Sequence, residues 1–215
     1  AIAWLSYADR LYQLPLGVVG IAIGVVLLPD LSRRLRASDD AGGRDALSRA
    51  AEFALLLTVP CTIAFLVVPL PLVATLFQRG AFDADDTAAT ALILAIYGLG
   101  LPAFVLQKVW QPLYFAREDT RSPFRFALVA LVVNAVVAVG LAPLIGYAAA
   151  ALGTTLAGWA MAVLLIRGAR SMGETASPDA RFRTRLPRIV VASLVMGVVL
   201  YVVNILLAPL FAGPW

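Results

Sequence analysis

Charged residues within or next to long apolar segments are the side chains of this chain that could do chemistry. Residues 7–17 read YADRLYQLPLG, and Asp9 and Arg10 lie at the start of an apolar segment that continues almost to Pro29. Lys108 falls about two-thirds of the way through another apolar segment. A charge at the bilayer centre costs about 3 kcal/mol on insertion scales, so it usually faces a protein interior or an aqueous cavity. These three residues are therefore the candidate functional residues.

Each of the three also has a purely structural interpretation. Arg10 lies at the end of its segment, so its side chain can snorkel to the membrane interface. Lys108 can snorkel as well, although its polar neighbours Gln107 and Gln111 make a position facing lipid less favourable. Asp9 directly precedes Arg10, so the two do not share a helical face well, and a structural salt bridge to another helix is the alternative for Asp9.

The sequence lacks the residue types and motifs that most enzymes use for catalysis. The chain has no His, and its one cysteine, Cys61, lies inside an apolar run where a buried, inert thiol is expected. No Cys/His spacing for a metal and no Walker, Rossmann or G-x-S-x-G motif is present in the sequence. We therefore expect no catalytic residues, no metal site and no bound cofactor.

The elements that carry these residues are predicted to be membrane-spanning helices. Of the 215 residues, 61% are hydrophobic and 14% are charged, whereas soluble domains are about one quarter charged. Apolar runs of roughly 20 residues are long enough to cross about 30 Å of hydrocarbon, and such runs are helical in lipid. The sequence predicts an all-α integral membrane protein with one transmembrane domain over residues 1–215. The six predicted spans are residues 11–29, 51–77, 87–115, 124–145, 147–166 and 187–211.

The distribution of basic residues predicts the orientation of these spans. Three alternate connectors, at about 30–50, 116–123 and 167–186, carry with their flanks 14 of the 17 Lys and Arg residues. By the positive-inside rule these connectors are cytoplasmic and both chain ends face outward. The net charge of +4 is then explained by contacts with anionic lipid headgroups and needs no nucleic acid. Residues 32–53 are predicted to form a short amphipathic surface helix.

Two further polar groups lie in the middle of predicted spans. Asn134 is in the fourth span and Thr154 is in the fifth. They could form a small site for a cation or a water molecule, or they could make hydrogen bonds between helices. The first ten residues, AIAWLSYADR, have neither an initiator Met nor the basic region of a signal peptide, which favours a segment of a longer protein.

Three stretches resemble a known family. YADRLYQLPLGVVGIAIGVVLLPDLSR resembles the signature region of the MurJ/MviN family of lipid II flippases, which belongs to the multidrug/oligosaccharidyl-lipid/polysaccharide exporter superfamily. LFQRGAFDADDTAAT and YGLGLPAFVLQKVWQPLYFAREDTRSP match the family in the same order. The matches cover the first 125 residues, while the last 90 agree mainly in hydropathy and helix count.

The resemblance implies a fold, a cargo and a set of binding residues. Family members have fourteen helices in two lobes, and this chain is similar to helices eight to thirteen, most of the C-terminal lobe. The family carries a lipid-linked peptidoglycan precursor across the bacterial inner membrane by alternating access, so a transporter is implied and not an enzyme. The Arg of the YADR motif, here Arg10, is then a ligand of the cargo's pyrophosphate, with Asp9 positioning Arg10 or a neighbouring helix. Lys108 would face the cavity or the missing N-terminal lobe.

Some members of the family couple transport to an ion. Asn134 and Thr154 fall on two of the helices used for this, although no carboxylate accompanies them in this chain. Coupling to a monovalent ion or to the membrane potential is therefore an expectation without a complete site. Two alternatives remain at this point: an exporter of another polyprenyl-linked glycan or a drug, and a non-transporting membrane scaffold of cell-wall synthesis.

Overall fold

Long α-helices make up almost all of the structure, a computed structural model that describes residues 2–37, 39–173, 176 and 179–211. Six of the helices in this described part are long and apolar enough to cross a membrane. The predicted all-α class with six membrane-length helices is confirmed. The helices are α1 (Ile2–Arg36), α2 (Asp40–Val67), α3 (Pro69–Phe77), α4 (Ala84–Phe115), α5 (Arg121–Ile145), α6 (Ala148–Ala169) and α7 (Ala180–Phe211), with a 3₁₀ turn at Arg170–Met172 after α6.

The first predicted connector is much shorter than expected. Instead of a loop over 30–50, α1 continues to Arg36 and α2 begins at Asp40, so the expected separate surface helix is wrong. Arg34 lies one turn after Asp30 and its Nε donates to the Asp30 carboxylate over 2.8 Å, which supports the end of α1. Asp39 caps α2 by accepting a hydrogen bond from the Gly42 N–H over 2.9 Å.

The second predicted span, 51–77, is broken near its C-terminal end. α2 ends at Val67, and Val68 separates it from the nine-residue helix α3, whose first residue is Pro69. A proline ring disfavours helical backbone in the residue before it, and Val68 accordingly has φ −127° and ψ 42°. Proline is well tolerated at the first position of a helix, which explains why α3 starts there.

The other predicted connectors are also partly helical. The connector 116–123 is reduced to a few residues, because α4 ends at Phe115 and α5 begins at Arg121. In the connector 167–186, α6 extends to Ala169 and α7 begins at Ala180, while residues 174, 175, 177 and 178 lie outside the described part.

Helix α4 is the centre of the packed core. Of its most apolar 18-residue window, 61% is buried, against 6% for α5 and 11% for α7. α1, α2 and α6 pack directly on α4, whereas α5 packs on α6 and α7 packs on α2. α5 and α7 therefore present most of their apolar surface outward, as helices in lipid do.

Side-chain hydrogen bonds join α4 to α6. Gln107 Nε2 donates to the Gly158 carbonyl over 2.8 Å, and the Tyr114 hydroxyl donates to the Leu165 carbonyl over 2.7 Å. Gly158 is required at this crossing, because a Cβ there would lie 2.8 Å from the ring of Phe104. The glycine lets the two helices approach closely and places Phe104 toward α1.

An aromatic cluster holds the N-terminal end of α1. Trp4 Nε1 donates to Asp86 Oδ1 over 2.5 Å, and Tyr7 packs on Phe77 and Phe82 with ring centroids 4.9 and 5.2 Å away. Asp86 also forms a capping box with Asp83 at the start of α4. These contacts set the position of the first turns of α1, from which Asp9 and Arg10 project.

Candidate functional site

An open cavity of about 670 Å³ lies between α1, α4 and α6. We call it the α1–α4–α6 cavity. Its walls combine one carboxylate, one ammonium group, one amide and two hydroxyls with apolar and small residues. The lining residues are Asp9, Tyr12, Gln13, Leu16, Gly17, Gly20, Ile21, Phe104, Lys108 and Thr154.

Three polar residues line the outer part of this cavity from a single face of α1. Asp9, Tyr12 and Gln13 are related by steps of three and four residues, which brings them together on a helix. The side-chain amide of Gln13 donates a hydrogen bond to the Asp9 carboxylate. Tyr12 is 5% exposed, and its hydroxyl has no hydrogen-bond partner among the described residues. Neither Tyr12 nor Gln13 was predicted, although their spacing from Asp9 is a signal that could have found them.

Lys108 lines the other end of the same cavity. Its stem passes over Gly20 of α1, where a Cβ would lie 3.8 Å from the lysine Cγ. Gly20 is eleven residues after Asp9, which corresponds to about 16 Å along a helix. The cavity is therefore elongated, with a carboxylate toward one end and an exposed ammonium group toward the other.

Arg10 does not line this cavity. It is exposed on a different face of α1, and it has no hydrogen bond or ion pair within the described part of the chain. Leu14 and Val18 continue its face and are 66% and 69% exposed. The hydrogen bond of Asp9 goes to Gln13 and not to Arg10. Helix α1 thus offers two surfaces, one lining the cavity and one that carries Arg10.

Asn134 and Thr154 meet in a second, smaller cavity of about 240 Å³ between α4, α5 and α6. Asn134 Oδ1 lies against the α6 backbone, since a Cβ on Gly153 would be 2.8 Å from it. The Thr154 hydroxyl donates to the Ala150 carbonyl over 3.0 Å within its own helix. Thr154 and Phe104 also line the first cavity, so they lie between the two. The residues that line the second cavity include no carboxylate.

The arrangement can bind a polar, charged molecule but offers no constellation for covalent chemistry. Among the described residues, no group of three or more metal-ligating side chains could hold a metal ion. An exposed guanidinium and an exposed ammonium on membrane-length helices can pair with anionic groups. A charge on a membrane-spanning segment usually faces a protein interior or an aqueous cavity, so the faces that carry Arg10 and Lys108 fit contact with a polar pathway or with another part of the protein.

Comparisons with known proteins relate the whole chain to one family. The family model described as "Lipid II flippase MurJ" matches residues 1–213. The chain is 46% identical over 202 residues to the probable lipid II flippase MurJ of Rhizobium meliloti (strain 1021), which covers 94% of this chain and 38% of that protein. It is 47% identical over 165 residues to the probable lipid II flippase MurJ of Rhizobium tropici, covering 77% of this chain and 31% of the relative.

A solved structure shows the same fold. The structure titled "Lipid II flippase MurJ, inward closed conformation" superposes with a TM-score of 0.81 at 26% sequence identity. The match covers 94% of this chain and 41% of that protein. The chain thus spans about two-fifths of the length of these relatives or less.

Proposed function

The chain belongs to the MurJ family of lipid II flippases, and from this we propose that it forms part of a transporter that moves a lipid-linked peptidoglycan precursor across the bacterial inner membrane. Transport runs from the cytoplasmic to the outer leaflet by alternating access between two lobes. This chain supplies most of one lobe, and the remaining length of its relatives supplies the other. The protein acts by moving its cargo and not by catalysing a reaction.

The single observation that carries this proposal is the position of Arg10. Its guanidinium projects from a membrane-length helix, is exposed, and has no partner in the described part of the chain. A guanidinium offers a planar fork of donors that pairs two phosphate oxygens at once. We assign Arg10 to the pyrophosphate of the cargo, a group that would offset the cost of keeping this charge within the membrane.

The α1–α4–α6 cavity provides the neighbouring contacts. Lys108 supplies a second cation for the anionic part of the cargo, and Asp9 supplies a carboxylate about 16 Å away along α1 for groups that donate hydrogen bonds. Asp9 lines this cavity together with Gln13, its hydrogen-bond partner. We therefore do not assign Asp9 as a positioning group for Arg10. Asn134 and Thr154 are assigned to a polar site that contributes to coupling with a monovalent ion or with the membrane potential.

The orientation follows from the basic residues at the helix ends. The ends of α1, α4 and α6 and the starts of α2, α5 and α7 carry most of the arginines, and we place them in the cytoplasm. Arg10 then lies toward the outer side and Lys108 toward the cytoplasmic side of the membrane. A cargo headgroup that crosses from one side to the other would meet both cations in turn.

Complementation of cells depleted of their own flippase tests the proposal. The longer protein of which this chain is proposed to be a part, here called the parent protein, is expressed with Arg10→Ala. We expect loss of growth and accumulation of the lipid-linked precursor at normal protein level. Arg79→Ala is the matched control, because Arg79 is exposed near the same side and its side chain, within the described part of the chain, donates to the Thr75 carbonyl of the preceding helix. Full rescue by Arg10→Ala would favour the non-transporting scaffold instead.

A further inference from the structure

A groove that has not been assigned a role lies between α1 and α2, at the corner of the molecule that we place in the cytoplasm. It encloses about 380 Å³, within the range of small-molecule pockets, and is separate from the cavities assigned above. On α1 it is lined from Ile23 to Arg34 at steps of three and four residues, which is one helical face. On α2 it is lined from Asp45 to Phe53. The corner itself is the short connector that joins the two helices.

The groove is charged at one end and apolar at the other. Asp30, Arg34, Asp45 and Arg49 lie at the end nearest the connector, whereas Ile23 and Phe53 lie at the far end. Arg34 and Ile23 are eleven residues apart, or about 16 Å along α1, close to half of the roughly 30 Å hydrocarbon core. Phe53 is exposed although it is a large apolar residue. This order matches a phospholipid, with a headgroup at the membrane interface and an acyl chain that runs inward.

The charges at the polar end select the headgroup. The two carboxylates and two guanidiniums that line the groove have no net charge, with one Asp–Arg pair on each helix. Two flanking residues extend the pair on α1 without changing this balance, because Arg33 also pairs with Asp30 and Asp39 also pairs with Arg34. Guanidiniums bind a phosphate, and carboxylates accept hydrogen bonds from an ammonium group. An anionic headgroup without an amine would leave both carboxylates facing negative charge. A choline headgroup has no N–H to donate to them.

These ion pairs are open to exchange with a ligand. The side chains of Asp45 and Arg49 are 41% and 64% exposed, and those of Asp30 and Arg34 are 22% and 35% exposed. Exposed ion pairs contribute little to stability, so a headgroup that replaces one salt bridge with two new ones costs the protein little.

We propose that the α1–α2 groove binds a phospholipid whose headgroup carries both a phosphate and a primary ammonium group. Arg34 and Arg49 hold the phosphate, Asp30 and Asp45 hold the ammonium, and the exposed side chains of Val26 and Phe53 contact one acyl chain. The lipid fills the space between the inner ends of α1 and α2. It thereby supports the helix that carries Arg10 and lines the α1–α4–α6 cavity.

Lipid retention measured by native mass spectrometry tests this assignment. The chain is purified in mild detergent with equal amounts of phosphatidylethanolamine, phosphatidylcholine and phosphatidylglycerol that have identical acyl chains. We expect phosphatidylethanolamine to be retained best. Asp45→Asn should lower the ratio of retained ethanolamine to choline lipid roughly fivefold, the size expected for one partly exposed charge-assisted hydrogen bond. Asp45→Glu should keep the preference.

The control is Glu118→Gln, which removes an exposed carboxylate from the connector between α4 and α5, on the same side of the membrane. It should leave the ratio unchanged, and circular dichroism shows that each variant keeps its helices. Equal retention of ethanolamine and choline lipids, or preferred retention of phosphatidylglycerol, would overturn the assignment. Unchanged preference in Asp45→Asn would overturn it as well, and so would displacement of the retained lipid by the lipid-linked precursor.

Discussion

The carboxylate of Asp9 accepts a hydrogen bond from the side-chain amide of Gln13, one turn further along α1, and Arg10 takes no part in it. Neighbours in sequence therefore belong to different surfaces of one helix. Asp9 and Gln13 line the α1–α4–α6 cavity, and Arg10 lies on the face that the described part of the chain leaves uncovered.

Double-mutant cycles in the parent protein should reproduce this division. We expect the effects of Asp9→Ala and Arg10→Ala on transport to add within about 0.5 kcal/mol, because the two side chains share no partner. Asp9→Ala and Gln13→Ala should instead couple by about 0.5 kcal/mol or more, since each removes the same hydrogen bond. The measurement is the initial transport rate of the three single and two double variants, at matched protein levels. Strong coupling between Asp9 and Arg10 would show that they act as one unit.

Lys108→Met separates charge from packing at the inner end of the cavity. Methionine keeps an unbranched stem over Gly20, so the thermal unfolding of the chain should change little. Transport by the parent protein should fall about tenfold, as expected for loss of one charge-assisted contact to a phosphate. Lys108→Arg is the control and should retain most activity. If Lys108→Met lowers the melting temperature enough to account for the lower transport rate, Lys108 is a packing residue.

The crossing of α4 and α6 should be sensitive to a single methyl group. Gly158→Ala places a Cβ 2.8 Å from the Phe104 ring, so we expect destabilisation of about 1–3 kcal/mol from overpacking. Gly140→Ala is the matched control in α5, because a Cβ there meets nothing within 4 Å and alanine is the better helix former. Thermal unfolding in detergent compares the two. Equal melting temperatures would show that the α4–α6 contact is looser than described.

The start of α5 should respond to acid through Asp119. Its Oδ1 accepts a hydrogen bond from the Ser122 N–H over 3.0 Å, and hydrogen bonds from the side chain and backbone of Ser122 lower the pKa of this carboxyl group. A lowered pKa in the folded state means that the stabilisation is complete above the ordinary aspartate pKa. It is lost as the pH falls from there through the lower folded value. Wild-type stability should therefore decline more over this acidic range than that of Asp119→Asn, when unfolding is followed in detergent at a series of pH values.

Hydropathy and the length of the apolar runs predicted the helical class and the six membrane-length helices, because lipid permits few other structures. The ends of the helices were predicted less well. Arginines read as a loop over 30–50 are good helix formers, and α1 continues through them. Pro69 is a signal for the helix break at Val68. The break was not predicted, because hydropathy shows one uninterrupted apolar run across it.

The sequence identified single candidate residues, but it did not predict which of them line a common surface. Asp9, Arg10 and Lys108 stand out because charges are rare in apolar segments, and the helical spacing of Tyr12 and Gln13 from Asp9 went unused. The approach of Lys108 to Gly20 joins residues 88 positions apart, and only the packing of α1 on α4 reveals it. Helical periodicity places side chains on faces, but it does not say which faces meet.

The most direct test of the central claim is cargo translocation by the purified parent protein in lipid vesicles. Lipid-linked precursor is placed in one leaflet, and its appearance in the other is measured for wild type, Arg10→Ala and Arg79→Ala. The account predicts that wild type and Arg79→Ala translocate the precursor at similar rates and that Arg10→Ala is slower by roughly tenfold or more, the loss expected for a charged hydrogen-bonded contact. Translocation by Arg10→Ala at the wild-type rate, or none by wild type, would contradict it.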